Sequence, residues 1–185
     1  FMPPRRESPF AIRKRTVISH RKPWAPFLTK ALLLSAAIVI AILWFEQNYV
    51  LGKDSQHVKC IPGIDWFLGD RGDRAIERDA IYMVRSKGLG PVYEDGTTLV
   101  KYLRGLPGDT VKIDATGIYI NGVKAGTGQL PLAHKFNSSP DDFYGERVLG
   151  EDEYWFMGTA ALSFDSRYWG SVSKGQVIRR AYPLF

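Results

Sequence analysis

The apolar positions of this 185-residue chain fall into two regimes. In the first, the run ALLLSAAIVIAILWF over residues 31–45 carries no charge, and it extends back to Trp24 once Lys30 lifts its ammonium towards a polar surface. Crossing a bilayer takes roughly 20 apolar residues, within a range of about 17 to 25. The pattern therefore predicts a transmembrane helix over residues 24–46, with Trp24 and Trp44 near the two interfaces. A buried core helix would show a polar stripe, which is missing here. A cleavable signal peptide would end in a small-x-small site with a polar follow-on, and none precedes Glu46.

From Asn48 onward the apolar runs are short and bounded by Gly, Pro, Asp or Asn, the pattern of strands joined by turns. Strands are predicted at 65–68, 80–85, 98–104, 110–114, 117–120, 148–149, 154–157 and 176–182. Asn121-Gly122 supplies the positive φ angles of a two-residue turn, so the chain around it reads as a hairpin. Residues 126–146, with Pro131, Ser138-Ser139-Pro140 and Asp141-Asp142, read as a long surface excursion. The expected fold class is mainly β: an antiparallel or mixed sheet, folded over on itself or forming an open barrel, preceded by one N-terminal transmembrane helix.

Charge adds an orientation. Residues 1–30 hold eight lysines and arginines against the single acid Glu7, an excess of seven in a chain whose formal charge is +6, so the remainder sums to −1. The basic character belongs to the tail, which removes the main support for nucleic acid as a partner. A basic flank beside an apolar span stays cytoplasmic. The expected organisation is a basic cytoplasmic tail at 1–23, the transmembrane helix at 24–46 and an extracytoplasmic domain at 47–185, with the lipid bilayer as a partner. Cys60 is the only cysteine, so no internal disulfide is available.

The candidate chemistry centres on Lys101, in the alternating segment Thr97-Thr-Leu-Val-Lys-Tyr-Leu-Arg that runs into Gly105-Leu-Pro-Gly-Asp109. A lysine acts as a general base only while its amine is neutral, a form that apolar surroundings favour; Val100 and Leu103 are the expected wall. The candidate nucleophile is Cys60 in Val58-Lys-Cys-Ile-Pro62, where the proline stiffens the chain just past the thiol. His57 and His134 leave room for a Cys-His pair instead. The histidines and acids show no metal-ligand spacing and the glycines no phosphate loop, so neither metal nor cofactor is expected.

These elements resemble the signal peptidase I family, in which a serine followed by x-Pro is the nucleophile and a lysine four residues before Gly-x-Pro-Gly-Asp is the base. A later Ser-x-Asp-Ser-Arg supports the lysine. The resemblance puts the nucleophile on Cys60, the base on Lys101 and supporting roles on Ser163, Asp165 and Arg167; a precursor added as a strand beside Cys60 and Lys101 is expected to place small side chains in a shallow pocket near Ile61 and Val100. The form Ser-Phe-Asp-Ser-Arg-Tyr-Trp-Gly over residues 163–170 looks most like the conjugative-transfer, TraF-type branch, which matures pilin precursors. What the resemblance implies is an endopeptidase at the outer face of a bacterial inner membrane, with its catalytic domain periplasmic. Its partners would be propilin or another signal-peptide-bearing precursor, together with other proteins of the conjugation machinery. A general signal peptidase and a catalytically silent pilus-assembly scaffold of the same fold are the alternatives.

The chain departs from the family pattern at three points. Cysteine replaces serine; Val58 stands where several relatives carry a hydroxyl that helps hold the oxyanion; and 157–162 replaces a Gly-Asp-Asn element. A thiol, with a free pKa of about 8.5, is more acidic than a serine hydroxyl and suits a Cys-Lys dyad. The alternative is that the exchange slows or silences the site.

Overall fold

The computed structural model describes residues 23–54, 59–73, 75–89 and 92–185. The basic tail, apart from Pro23, as well as His57 and Val58, lies outside these residues. The chain divides into two units, at 1–41 and 42–185.

Helix α1 spans Trp24–Asn48. Its Leu, Ala and Ile content favours a helix, and Pro26 sits in the first turn, where a missing N–H leaves no bond unmade. At about 1.5 Å per residue it reaches about 37 Å, longer than the ~30 Å hydrocarbon layer. None of its residues is buried, and it is long and apolar enough to cross a membrane.

The rest of the chain forms β1 (Tyr49–Lys53), β2 (Trp66–Asp70), β3 (Ile81–Arg85), β4 (Thr98–Gly105), β5 (Thr110–Asp114), β6 (Gly117–Ile120), β7 (Val123–Gly126), β8 (Gly145–Val148), β9 (Glu153–Met157), β10 (Val172–Ser173) and β11 (Val177–Pro183). They make a seven-stranded sheet, β1-β2-β11-β3-β4-β9-β10, and a four-stranded sheet, β7-β6-β5-β8, with every pairing antiparallel. The two sheets share a core: Val111, Ile113, Ile118 and Ile120 of the smaller pack with Trp155 and Met157 of β9. The protein is mainly β, as its pattern of short runs predicts.

Two features differ from the pattern reading. β1 and β10 were not anticipated; each is a short edge strand with little apolar alternation of its own. Residues 126–146 are not wholly superficial, because Leu130, Leu132 and Ala133 are buried beneath their polar neighbours. The hairpin, by contrast, turns where expected, at Asn121 and Gly122, whose φ angles are 51° and 77°.

The Gly-Leu-Pro-Gly-Asp element is a structural clasp. A Cβ on Gly105 would stand 2.8 Å from Trp155 Cβ, so only glycine lets β4 approach β9 there. Gly108 takes φ +85°, and the Asp109 carboxylate then closes the turn by accepting from Leu106 N (2.6 Å), Arg78 Nη1 (2.6 Å) and Asn121 Nδ2 (2.7 Å). Burial opposes the charge on Asp109, but these donors outweigh it and hold its pKa below the usual carboxylate value. A depressed folded-state pKa stabilises the fold above the ordinary value of about 3.9 and is lost as pH falls through the folded value. Asp109→Asn should therefore lower stability at neutral pH by about 2 kcal/mol and flatten its dependence on pH below about 4, as denaturant titrations at several pH values would show. An unchanged acid profile would remove this role.

Candidate active site

Three segments meet around Lys101. Strand β4 alternates strictly, so Lys101 shares its face with Leu99 and Leu103 and is fully buried, with 0% exposure. Val100 points to the opposite face, which corrects the expected wall: Leu99 and Leu103 flank the lysine. The second segment is the turn at Cys60, where the thiol is 4% exposed and Pro62-Gly63 bends the chain, with Gly63 at φ +85°. The third is the loop leaving β9, which carries Ser163.

The Lys101 amine donates to Cys60 Sγ and, at 2.9 Å, to Ser163 Oγ. The thiol, the amine and the hydroxyl thus form one buried chain of three polar groups. His134 lies exposed in the turn Ala133–Phe136.

The loop is held by an internal ion pair. Arg167 Nε and Nη2 each donate to an Asp165 carboxylate oxygen at 2.7 Å, and Nη2 also donates to the Ser163 carbonyl at 2.9 Å. Asp165 caps the short helix α2 (Ser166–Trp169) and accepts from Gly158 N at 2.8 Å. Burial opposes the Arg167 charge, but Asp165 outweighs it and raises the guanidinium pKa. The carboxylate is completely buried, and removing one partner from such a pair costs about 3–5 kcal/mol. Together Asp165 and Arg167 fix the backbone that carries Ser163.

Two further residues complete the site. Ser166 Oγ accepts from Phe156 N at 2.9 Å, tying α2 back to β9. Gly158 is wedged in place: an added Cβ would stand 2.2 Å from Ser163 Oγ and 2.6 Å from the Cys60 carbonyl. That carbonyl in turn accepts from Thr159 N at 3.0 Å, stitching the cysteine turn to the serine loop. The only signal in the sequence was a glycine directly after a buried strand, inside an element that departs from the family pattern. Gly158→Ala should cost about 1–3 kcal/mol of stability and lower turnover, read by thermal unfolding and a cleavage assay. Parent-like values in both would contradict the close contact.

Ile61 and Val100 lie together in one apolar cluster with Phe67, Ile81 and Met83, Ile61 buried and Val100 half-buried. Beside them, β9 pairs only with Tyr102, Leu103 and Gly105 of β4, so no strand covers that ladder edge before Lys101 among the described residues. Nor does any cluster of three or more His, Cys, Asp or Glu able to hold a metal occur among them.

An all-antiparallel fold with a buried lysine shared between a thiol and a hydroxyl invites comparison with lysine-dependent peptidases. The chain belongs to the signal peptidase family, peptidase S26, whose family model matches residues 22–185. It is 31% identical over 88 residues to "Probable signal peptidase I-2" of Synechocystis sp., covering 46% of this chain and 37% of that protein. It is 32% identical over 88 residues to signal peptidase I of Leptolyngbya laminosa, covering 46% of this chain and 40% of that protein. The matched stretch thus spans about two-fifths of the length of these curated relatives. A crystal structure of a signal peptidase I from Enterococcus faecalis is similar at 27% identity, covering 58% of this chain and 97% of that one, with a TM-score of 0.38.

Proposed function

We propose that the protein is a membrane-anchored endopeptidase that cleaves precursor proteins, with Cys60 as nucleophile and Lys101 as general base. The observation that carries this reading is the fully buried Lys101 amine in hydrogen-bond contact with both Cys60 Sγ and Ser163 Oγ. In the reacting protonation state the contact runs the other way: the thiol S–H donates to a neutral amine. Sγ attacks the scissile carbonyl carbon as its proton passes to Lys101 Nζ. The Cys60 backbone N–H is assigned to the oxyanion. On collapse the C–N bond breaks, Lys101 returns the proton to the leaving amine, and a thioester remains on Cys60. Lys101 then takes a proton from water, whose oxygen attacks the thioester, releasing the new carboxylate and restoring the thiol. Ser163 orients the amine throughout.

The substrate is placed as an added strand along the uncovered edge of β4, with a small side chain entering the pocket at Ile61 and Val100. Helix α1 and the basic residues before it support anchoring in a bacterial inner membrane, with the N-terminus cytoplasmic and the β unit periplasmic. The Ser163–Gly170 element, through its resemblance to the conjugative-transfer branch, supports propilin as the precursor and conjugation-machinery proteins as partners.

The test is cleavage of purified precursors by the full chain in detergent. Propilin should be cut faster than ordinary secretory precursors, and always after a small residue. A Trp at the position before the cut should reduce cleavage at least tenfold relative to Ala. Equal cleavage of Ala and Trp contradicts the pocket, preference for secretory precursors contradicts the propilin assignment, and absence of any cleavage favours the scaffold.

A further inference from the structure

Away from Lys101, a cleft of about 310 Å³ opens over β11, lined by Arg71, Asp73, Tyr82, Lys174, Arg179 and Arg180 among others. It lies at the lower end of the ~300–1,000 Å³ range of small-molecule sites. Its two central arginines differ in their partners. Arg180 pairs with Glu77 at 2.8 Å and with Asp73 at 3.4 Å, and Asp73 also accepts from Tyr182 Oη at 2.7 Å. Arg179 has no such compensation: its Nη1 is buried without a hydrogen-bond partner among the described residues.

The Arg179 stem is held close over the sheet. A Cβ on Gly69 would stand 2.6 Å from Arg179 Cδ and 3.0 Å from Met83 Sδ, so the absence of a side chain at Gly69 makes room for it. Among the described residues, the charges that shift Arg179 are of its own sign. Burial, then Arg71 and Arg85, push its pKa down from the usual arginine value. A guanidinium remains protonated in proteins, so it cannot relieve this by losing its proton. Arg179 is half-buried, with the rest of its guanidinium free to meet an anion in the cleft. The fork of N–H donors suits tetrahedral oxyanions.

Position narrows the anion. Arg71 N donates to the carbonyl of Asn48, the last residue of α1, at 2.8 Å. One wall of the cleft is therefore fixed to the point where the chain leaves its apolar helix, the level at which headgroup phosphates sit if α1 spans a bilayer.

We propose that this cleft binds a phosphate group, supplied by the headgroup of an anionic phospholipid, through Arg179 and Arg71. The test uses the full chain in neutral detergent. Calorimetric titration with inorganic phosphate measures the shared chemistry, and native mass spectrometry with phosphatidylglycerol measures the source. The parent should bind phosphate saturably and retain one lipid that phosphate displaces. Arg179→Gln should weaken both at least tenfold, and Arg179→Lys should do so less. Lys87→Gln, an exposed position outside the cleft, should match the parent. If Arg179→Gln fails to fold, Arg71→Gln at the exposed wall carries the same test. Phosphate binding that depends on Arg179 without a retained lipid would keep the phosphate site and overturn the lipid source. Binding unchanged in folded Arg179→Gln and Arg71→Gln proteins, or no phosphate binding by the parent, would overturn the proposal.

Discussion

Replacing Lys101 with alanine should reduce precursor cleavage by about 10⁴-fold while the protein stays folded. General bases contribute about 10²–10⁴-fold, and this lysine is asked to serve in both halves of the reaction, which places the loss at the upper end. The side chain is fully buried between Leu99 and Leu103 on β4, so alanine also leaves a cavity. Lys101→Met fills much of that space without an amine and separates the two effects: it should be as inactive as Lys101→Ala but closer to the parent in thermal stability. Ser163→Ala should lower turnover by only about 10–100-fold, because the hydroxyl orients the amine without exchanging a proton with substrate. Parent-like cleavage by Lys101→Met, or a greater loss in Ser163→Ala, would contradict the assigned roles.

Loss of the Cys60 thiol should be equally severe. Cys60→Ala should have no measurable activity, and a small alkylating reagent should inactivate the parent in step with modification of this single cysteine. In Lys101→Met that modification should slow at neutral pH, because no amine is present to take the thiol proton. Cys60→Ser should keep partial activity, since the lysine base of the family works on a hydroxyl. A Cys60→Ser rate above the parent's would mark the thiol as a weakened form of a serine site. Complete alkylation with cleavage unchanged would remove Cys60 from the mechanism.

The legible parts of the fold were those whose local pattern is also their tertiary pattern. Strand β4 alternates in sequence and in burial, and Asn121-Gly122 turns the β6–β7 hairpin by its own φ preferences. β1 and β10 could not be read, because edge strands this short are defined by the partner they pair with. The burial of Leu132 depends on Leu99 and Phe164, residues distant in sequence, so the 126–146 segment read as wholly superficial.

At the site, Lys101, Cys60 and Ser163 stood out by the spacing of motifs that resembles the signal peptidase I family, and the fold brings their three polar atoms together. Pattern alone misplaced the apolar wall: Val100, next to the lysine in sequence, is on the opposite face, whereas Leu99, two residues away, shares its face. Gly158 was missed because its importance lies in atoms it does not have, a requirement visible only once Ser163 and the Cys60 carbonyl are seen to close around it.

The most direct measurement of the Cys60–Lys101 reading is intact-mass spectrometry of the protein quenched with acid during turnover of a precursor peptide. The mechanism predicts a transient adduct on Cys60 equal to the N-terminal fragment less one water, removable by hydroxylamine as a thioester and absent in Lys101→Met. Cleavage that proceeds without any adduct and persists in Cys60→Ala would contradict it.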